Sequence, residues 1–347
     1  MRFSKDAFVL AFSIASIPKC VNSLGCNVRN RISKPSAITF SSHLFTDGYE
    51  IGSTSRLFSS TSESTDHQND VDPKEKKRPT YTSSPWSSES LALNSKRGGG
   101  INKSRFRQHV NPLASKFQMP TELNNDWPND GSYLNPSLPL HVDIGCGKGG
   151  FLLDLCSKQL SKNLDEDEKQ NYLGLEIRPS VAQYAKERVA KWNLKGSLDF
   201  IGCNANVDLD RILGKYVTAS KPKAEEGDVA AGEITMVSIQ FPDPHFKKQH
   251  QKRRVVTPEL VKILAKYLPP EKGTVFIQSD VKVVLDSMRE TIRESGSEYF
   301  EDALESVDDY LEENPIGVQT EREKSVLDQN LPVYRTIFRR TNVQLKE

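Results

Sequence analysis

A glycine-rich turn in the middle of the chain has the residue types of a ligand-binding loop. The run from His141 to Gly150 reads His-Val-Asp-Ile-Gly-Cys-Gly-Lys-Gly-Gly and joins a short apolar stretch to a helical pattern. Glycine lets a backbone approach a ligand closely, and the helix N-terminus beyond it offers free N–H groups. Gly145, Gly147 and Gly150 fit the dinucleotide spacing G-x-G-x-x-G, which alone is ambiguous. Asp143, two residues before the first glycine, favours a cationic ligand, because its carboxylate would repel a pyrophosphate.

A second acid, Glu176, ends the next apolar stretch, in the sequence Leu-Glu-Ile-Arg. A carboxylate at this place can accept hydrogen bonds from two ribose hydroxyls, as it does in dinucleotide folds. Asn204 and Ala205 follow the third apolar stretch, where an amide or a backbone N–H can contact an adenine edge; a turn-forming asparagine is the alternative. These positions suit S-adenosylmethionine, which carries an ammonium, a sulfonium and an adenosine. The pattern D-x-G-x-G-x-G is similar to the first motif of the class I methyltransferases.

The fourth apolar stretch ends in an acid flanked by prolines. Residues 240–248 read Gln-Phe-Pro-Asp-Pro-His-Phe-Lys-Lys, which places Asp243 beside the expected position of the sulfonium. Methyltransferases that act on exocyclic amines usually carry an Asn/Asp-Pro-Pro-aromatic tetrapeptide at this place, and this loop lacks it. Asp243 is a candidate functional residue by its position at the end of this stretch, and a turn residue between two prolines is the alternative interpretation.

The loop continues into a basic segment, Lys247–Arg254, which has five formal positive charges and no acid. The whole chain has 47 basic and 46 acidic residues, so this concentration of charge is local. Such a segment beside an active-site loop favours a phosphate-binding surface, although a solvated face would carry the same charges. The stretch Glu298–Glu313 holds eight acids and no base, and RNA is expected to avoid it.

Strands and helices alternate along residues 101–347, in an order that would bring these residues to one edge of a sheet. This alternation predicts a mostly parallel sheet with helices on both faces. We therefore expect an α/β fold, a doubly wound, Rossmann-like class I methyltransferase sheet flanked by helices, with its last strand antiparallel. The polar stretch 221–232 is expected to be a surface loop. Predicted strands are 140–144, 172–177, 198–203, 234–241, 274–279 and 333–338, and predicted helices are 151–160, 181–192, 258–268 and 281–294.

The first hundred residues differ in composition from the rest. Up to residue 46 there are six basic residues, eight serines and one acid, which is typical of an organellar transit peptide. We expect a targeting leader over 1–58 and a disordered linker over 59–100, which lacks the apolar periodicity to offset its ordering entropy. The apolar stretch 7–18 is shorter than the roughly 20 residues of a membrane helix, so no membrane contact is expected. Five cysteines without a CxxC spacing predict neither a disulfide framework nor a metal site.

Four separated motifs resemble the tRNA (guanine-N7)-methyltransferase family. They are Arg-Phe-Arg-Gln-His-Val-Asn-Pro-Leu at 105–113, the Pro-Asp-Pro-His-Phe loop with its basic run, Asn-Pro-Ile-Gly-Val-Gln-Thr-Glu-Arg-Glu at 314–323, and Leu-Pro-Val-Tyr-Arg at 331–335. The resemblance covers roughly residues 105–340. It implies a class I methyltransferase that takes S-adenosylmethionine as methyl donor, needs no metal and methylates a guanine in the tRNA variable loop, at position 46.

The resemblance also implies roles for single residues, with Asp243 in the position of the catalytic aspartate. His245 stands where bacterial members commonly have Trp, and Asn204 where they often have Asp; neither departure removes the expected activity. The basic segment adds Lys252, Arg253 and Arg254 as expected tRNA contacts. Cofactor positions fall on Asp143, Gly145, Gly147, Glu176, Arg178, Asn204, Ala205 and Gln240, and substrate positions on Lys247, Asp280, Thr320 and Glu323.

The implied chemistry agrees with these residue types. Guanine N7 carries an in-plane lone pair at neutral pH, so no strong base is needed to create the nucleophile. Catalysis then depends on holding N7 in line with the sulfonium methyl, a positioning effect worth up to about 7–11 kcal/mol. Asp243 is placed to orient the guanine through its N1–H and N2–H donors, or to contact the charged end of the donor.

Other functions stay open at this point. They are a methyltransferase for another nucleic-acid atom, such as an exocyclic amine, an RNA-binding relative without catalysis, and a dehydrogenase. The leader indicates an organelle, and the cyanobacterial look of the C-terminal motifs favours a plastid over a mitochondrion, with cytosol or nucleus as the alternative. The same likeness predicts an enzyme without an obligatory protein subunit. The Pro-Asp-Pro-His-Phe-Lys run favours the opposite prediction, because it is common in the eukaryotic cytosolic branch of the family, which relies on a β-propeller partner.

Overall fold

The computed structural model describes residues 85–86, 110–162, 164–165, 168–219 and 232–345. The predicted leader, the predicted linker apart from Pro85 and Trp86, and the predicted loop up to residue 231 lie outside these ranges. Over the ranges it does describe, no helix is both long enough and apolar enough to cross a membrane.

One mixed sheet of seven strands organises the described residues, in the order β3-β2-β1-β4-β5-β7-β6. Strands β1 to β5 are parallel, and β7 runs antiparallel to both β5 and β6. This arrangement confirms the predicted fold class and the antiparallel last strand. The strands are β1 (Leu140–Ile144), β2 (Asn171–Glu176), β3 (Leu198–Gly202), β4 (Ile234–Gln240), β5 (Thr274–Ser279), β6 (Phe300–Asp302) and β7 (Tyr334–Arg340).

Helices cover both faces of the sheet. The helices are α1 (Gly150–Leu160), α2 (Pro179–Lys191), α3 (Ala205–Ala219), α4 (Pro258–Tyr267), α5 (Lys282–Ser295) and α6 (Glu321–Leu327). Helices α1 and α2 bury Leu152 and Ala185 in a cluster on one face. Helices α3, α4 and α5 bury Leu209, Leu264 and Ile292 in a second cluster on the other. The strand order reverses between β1 and β4, and in such sheets ligands bind beyond the carboxyl ends of the strands at that point.

Two helices near this edge begin where their sequences favour a start. The Thr257 hydroxyl accepts a hydrogen bond from the Leu260 N–H at 3.2 Å, ahead of Pro258 in the first turn of α4. The Thr320 hydroxyl accepts from the Glu323 N–H at 3.0 Å at the start of α6. A threonine cap satisfies a donor that would otherwise be free, and loss of such a cap typically costs about 1 kcal/mol.

Helices α3 and α6 and strand β6 were not predicted from the sequence. In α3 the apolar residues Leu209, Ile212, Leu213 and Tyr216 recur at helical spacing, so the signal was available. Helix α6 has seven residues and β6 has three, which is too short for a periodic pattern. Strand β6 lies inside the acidic stretch and exists because β7 pairs with it.

Candidate active site

The carboxyl ends of four parallel strands bring the sequence-predicted residues together. Asp143 lies near the end of β1, Glu176 ends β2, Asn204 follows β3 and Asp243 follows β4. The end of β5 adds Asp280 to the same edge. Residues that are far apart in sequence therefore share the place where this type of sheet binds its ligands.

The turn after β1 has the backbone that its glycines predict. Gly145, Gly147 and Gly149 have φ values of +83°, +59° and +77°, in the left-handed region that favours glycine. A Cβ on Gly149 would lie 2.3 Å from the ring of Phe200, so packing also requires a glycine there. A Cβ on Gly145 would meet no heavy atom within 4 Å, which leaves open space above the turn for a ligand.

Glu176 connects this turn to β2. Its carboxylate is 2% exposed and accepts the Gly147 N–H at 3.0 Å. It also accepts the backbone N–H and the Nε of Arg178, both at 2.8 Å, and the Arg178 Nη2 at 3.0 Å. The hydrogen bond to Glu176 is the main cause that raises the pKa of Arg178. Arg178, which is itself an expected cofactor residue, thus holds in place Glu176, the acid that is expected to bind a ribose.

Asp143 is a buried carboxylate with two neutral donors. Its Oδ1 accepts the Ser238 hydroxyl at 2.7 Å and the Gln240 Nε2 at 3.1 Å, and 4% of the residue is exposed. Burial raises the pKa of Asp143 to about 6, against the lowering effect of these two hydrogen bonds. The group is therefore mostly ionised at neutral pH, in a setting where a nearby cation would be strongly favoured.

A buried histidine completes this arrangement. His141 Nε2 lies 3.0 Å from the Ser238 hydroxyl, whose proton goes to Asp143. Nε2 must therefore carry the hydrogen of the imidazole. Burial lowers the pKa of His141 to about 3, so the ring is neutral and serves as a packing residue and a donor.

A row of polar side chains crosses the sheet from Asp143. Strand pairing places Gln240, Gln278 and Arg335 side by side on β4, β5 and β7. Gln278 Nε2 donates to Gln240 Oε1 at 2.7 Å and to Glu323 Oε2 at 3.1 Å. Arg335 Nη2 lies 3.1 Å from Glu323 Oε1, in an ion pair whose two side chains are 4% and 1% exposed. We call these five residues the polar row: Asp143, Gln240, Gln278, Glu323 and Arg335.

The polar row decides where Glu323 lies. The residue is fully buried and also accepts the Asn314 Nδ2 at 2.8 Å. Gln278 and Gln240 join Glu323 to Asp143 by hydrogen bonds, and a contact of Glu323 with the substrate stays a prediction. The sequence analysis did not single out Ser238, Gln278 or Arg335, because cross-strand register is what brings them to the site.

The loop that carries Asp243 is held in an uncommon backbone conformation. Phe241 and His245 have φ values of +49° and +43°, which non-glycine residues adopt at a cost of about 1–3 kcal/mol each. The Phe241 N–H donates to the Gln278 carbonyl at 2.8 Å and fixes the start of the loop to β5. Asp243 is half-buried, and its charge is one of the causes, after the hydrogen bond to Glu176, that raise the pKa of Arg178. The candidate catalytic acid therefore interacts electrostatically with Arg178, the cofactor position that follows β2.

The basic segment continues from this loop as a short 3-10 helix, Lys248–Arg253, which Lys247 precedes. Lys247 and Lys252 are exposed, whereas Arg253 and Arg254 are half-buried. Arg254 Nη1 donates to the Ser287 hydroxyl on α5. Lys247 and Lys252 are thus free to meet a phosphate, while Arg254 anchors the segment to the domain.

The other substrate positions lie around the start of α6. Asp280, directly after β5, forms an ion pair with Arg322, which the sequence analysis did not consider. Thr320 is the N-cap of α6, as described above. The motif 314–323 therefore reaches the site by docking its helix start against the end of β5.

The side chain of Asn204, which was expected to contact an adenine, is hydrogen-bonded to another part of the chain. Its Nδ2 donates to the carbonyls of Phe117 at 3.0 Å and Pro112 at 3.3 Å, so the amide holds the segment that precedes β1. Ala205 begins α3 and is buried. A contact of either residue with an adenine stays a prediction.

These residues fit the donor implied by the sequence. The open space at Gly145, the ionised Asp143 and the acceptor Glu176 suit an ammonium and a ribose. Among the residues that the structure describes, no group of three His, Cys, Asp or Glu side chains could hold a metal ion.

Comparison with known proteins gives a consistent result. A family model described as a putative methyltransferase, Methyltransf_4, matches residues 137–336. A protein of Thermosynechococcus vestitus is 42% identical over 239 residues, 69% of this chain and 96% of that protein. Proteins of Synechococcus sp. CC9902 and Nostoc sp. PCC 7120 are each 39% identical, over 68% and 69% of this chain and 89% and 95% of their own lengths. All three are named tRNA (guanine-N(7)-)-methyltransferase. The chain belongs to the tRNA (guanine-N(7)-)-methyltransferase family, which confirms the resemblance drawn from its motifs.

Proposed function

We propose that this protein transfers a methyl group from S-adenosylmethionine to N7 of a guanine in tRNA, at position 46 of the variable loop. The observation that carries the proposal is the convergence of Asp143, Glu176 and the Asp243 loop at the carboxyl ends of β1, β2 and β4. The family to which the chain belongs supports the guanine and the tRNA. The position in the tRNA follows from the motif resemblance.

Different residues of the site bind different parts of the donor. The glycine turn and Asp143 hold the amino-acid end, because an ionised carboxylate with a pKa of about 6 attracts an ammonium at neutral pH. Glu176 holds the ribose hydroxyls, and Arg178 keeps that carboxylate in position at 2.8 Å. When bound, S-adenosylmethionine supplies an electrophilic methyl group on a positively charged sulfur.

The Asp243 loop supplies the catalytic group. Methylation at N7 leaves a positive charge on the guanine ring, and the Asp243 carboxylate favours that charge as it develops. The same carboxylate can accept the N1–H and N2–H of the base, which sets N7 towards the donor. The hydrogen bond from the Phe241 N–H to the Gln278 carbonyl holds the start of this loop in place, which reduces the reorganisation needed when the substrate binds.

The tRNA is expected to lie over the basic segment. Lys247 and Lys252 are exposed beside the catalytic loop and point to phosphate contacts. The acidic stretch Glu298–Glu313 would repel the same polyanion. Between these two segments, the charge therefore favours an approach of RNA over the basic segment.

We also propose that the enzyme works in an organelle, with a plastid favoured, and without an obligatory protein subunit. Support comes from the acid-poor, serine-rich leader 1–58 and from the cyanobacterial organisms of the relatives. A fluorescent fusion of residues 1–100 is expected to enter plastids, and retention in the cytosol would contradict this. A requirement for a second subunit by the purified chain would contradict the other half.

Mapping the product tests the proposed activity. The purified full-length chain is incubated with an unmodified tRNA transcript and labelled S-adenosylmethionine, and mass spectrometry identifies both the modified nucleoside and the nuclease fragment that carries it. We expect N7-methylguanosine in the fragment that contains position 46. A methylated exocyclic amine would instead favour another RNA methyltransferase, and tRNA binding without methyl transfer would favour a non-catalytic relative.

A further inference from the structure

Trp86 is a buried aromatic residue in a stretch whose composition predicts a linker. It lies well before residue 137, where the family match begins. Even so, only 9% of its surface is exposed. The predicted domain boundary at residue 101 therefore leaves out a side chain that packs on the domain.

The contacts of Trp86 place it at the ends of β2 and β3. Its indole Nε1–H donates to the carbonyl of Ile177 at 3.3 Å. Its ring centroid lies 5.9 Å from that of Phe117, with the planes tilted by 46°. A Cβ on Gly202 would lie 2.3 Å from the indole Cδ1, so the ring packs directly on the backbone at the end of β3. Gly202 is the strand partner of Glu176.

This position adjoins the expected place of the adenosine. Glu176 is proposed to bind the ribose, and Ile177 follows it directly. The adenine is expected beside the residues after β3. In the part of the chain that the structure describes, β3 is the edge strand of the sheet, so no described strand covers that side of the pocket. The flat face of an indole can supply the missing wall, since aromatic rings stack well on purines.

The segment 112–121, which precedes β1, also contacts the end of β3 beside Trp86. Asn204 binds the carbonyls of Pro112 and Phe117, and the Thr121 hydroxyl donates to the Gly202 carbonyl at 2.7 Å. Phe117 is 3% exposed. The segment 112–121 is therefore fixed to the same strand end and holds a second aromatic ring beside the indole.

We propose that Trp86 forms one wall of the adenosine half of the donor pocket and increases affinity for the donor. The inference rests on the proposed placement of the donor at Glu176. It assigns a binding role to a residue that lies outside the region matched by the family model.

Calorimetric titration of the full-length chain tests this role. The probes are S-adenosylhomocysteine and 5′-methylthioadenosine, which shares the adenosine but lacks the amino-acid end. The variants are Trp86→Ala, Trp86→Phe and Glu176→Ala, with Trp192→Ala as a control at an exposed tryptophan after α2. Trp86→Leu keeps an apolar side chain without a ring, and it replaces Trp86→Ala if that variant does not fold.

We expect Trp86→Ala to weaken both probes by a similar factor, about 5- to 150-fold, the range of base–aromatic stacking. Trp86→Phe should stay within about threefold of the wild type, because it keeps a ring and loses one neutral hydrogen bond. Trp192→Ala should bind normally. Both probes should also weaken in Glu176→Ala.

Three results would overturn the inference. Unchanged affinity in Trp86→Ala, with a loss in Glu176→Ala, would leave the donor placement intact and make Trp86 a structural anchor only. Tighter binding in Trp86→Ala would mean that the indole occupies the place of the adenine. Unchanged affinity in Glu176→Ala would contradict the donor placement itself, and the inference with it.

Discussion

At the scale of single residues, the site contains three acids in three different environments. Asp143 is buried with neutral donors, Glu176 is fixed by Arg178, and Asp243 lies half-buried between two prolines. These differences in environment assign different tasks to residues of similar chemistry. The residue types and their order could be read from the sequence, but the environments could not, because they depend on burial and on partners from other strands.

The raised pKa of Asp143 predicts opposite effects on stability and on binding. A folded-state value near 6, above the ordinary 3.8, means that the folded protein prefers the protonated acid. Stability from this group is therefore present at low pH and is lost as the pH rises towards 6, by on the order of 2–3 kcal/mol. Donor binding should instead improve over the same range, because the ionised form attracts the ammonium.

The variant Asp143→Asn separates these effects. We expect it to melt at a higher temperature than the wild type at pH 7.5, with the two melting temperatures converging as the pH falls below 6 to the ordinary pKa of 3.8. We also expect S-adenosylhomocysteine affinity to rise several-fold from pH 5.5 to 7.5 in the wild type and to stay flat in the variant. Parallel pH profiles for the two proteins would contradict this assignment.

Asp243 is expected to act on catalysis and not on donor binding. In Asp243→Asn the single-turnover methylation rate should fall on the order of 10²-fold, because the carboxylate no longer favours the developing positive charge. Affinity for S-adenosylhomocysteine should change little. The exposed Asp130→Asn serves as a control with the same chemical change. A wild-type rate in Asp243→Asn would exclude a catalytic role.

At the scale of secondary structure, the polar row shows what the sequence can and cannot predict. Strand–helix alternation predicts that β1, β4 and β5 end at one edge, because right-handed crossovers give a parallel sheet. It does not predict that Gln240, Gln278 and Arg335 lie side by side. That depends on the register of β7, which returns antiparallel beside β5 after a short helix. The motif resemblance therefore predicts a substrate residue at Glu323, whereas the fold shows a buried side chain paired with Arg335.

The burial of this ion pair predicts a large effect on stability. Glu323→Ala leaves the guanidinium of Arg335, which is 3% exposed, without its carboxylate. Removing one partner of a buried pair typically costs about 3–5 kcal/mol. The exposed Glu321→Ala on the same helix should cost less than about 1 kcal/mol. Chemical denaturation measures both, and a loss in Glu323→Ala no larger than that in Glu321→Ala would contradict the buried pair.

At the scale of the whole molecule, charge is arranged around a chain that is nearly neutral overall. The basic segment lies beside the catalytic loop, and the acidic stretch surrounds β6 at the far edge of the sheet. Composition alone predicted both segments. It did not predict that Arg254 would be turned towards α5, since that requires the packing of the 3-10 helix.

The two exposed lysines of the basic segment should carry the salt dependence of tRNA binding. Replacing Lys247 and Lys252 with Ala should reduce the slope of log affinity against log salt by roughly 0.7–0.9 for each lost phosphate contact. The exposed Lys262→Ala on α4 is the matched control. An unchanged slope in the double variant would place the RNA surface elsewhere on the molecule.

The most direct test of the central claim changes a single atom of the substrate. A tRNA that carries 7-deazaguanosine at position 46 keeps its base-pairing edge but has a C–H in place of N7. The full-length enzyme is predicted to bind this tRNA and to transfer no methyl group to it, while an otherwise identical tRNA with guanosine is methylated under the same conditions. Equal methyl transfer to both tRNAs would contradict guanine N7 of position 46 as the acceptor.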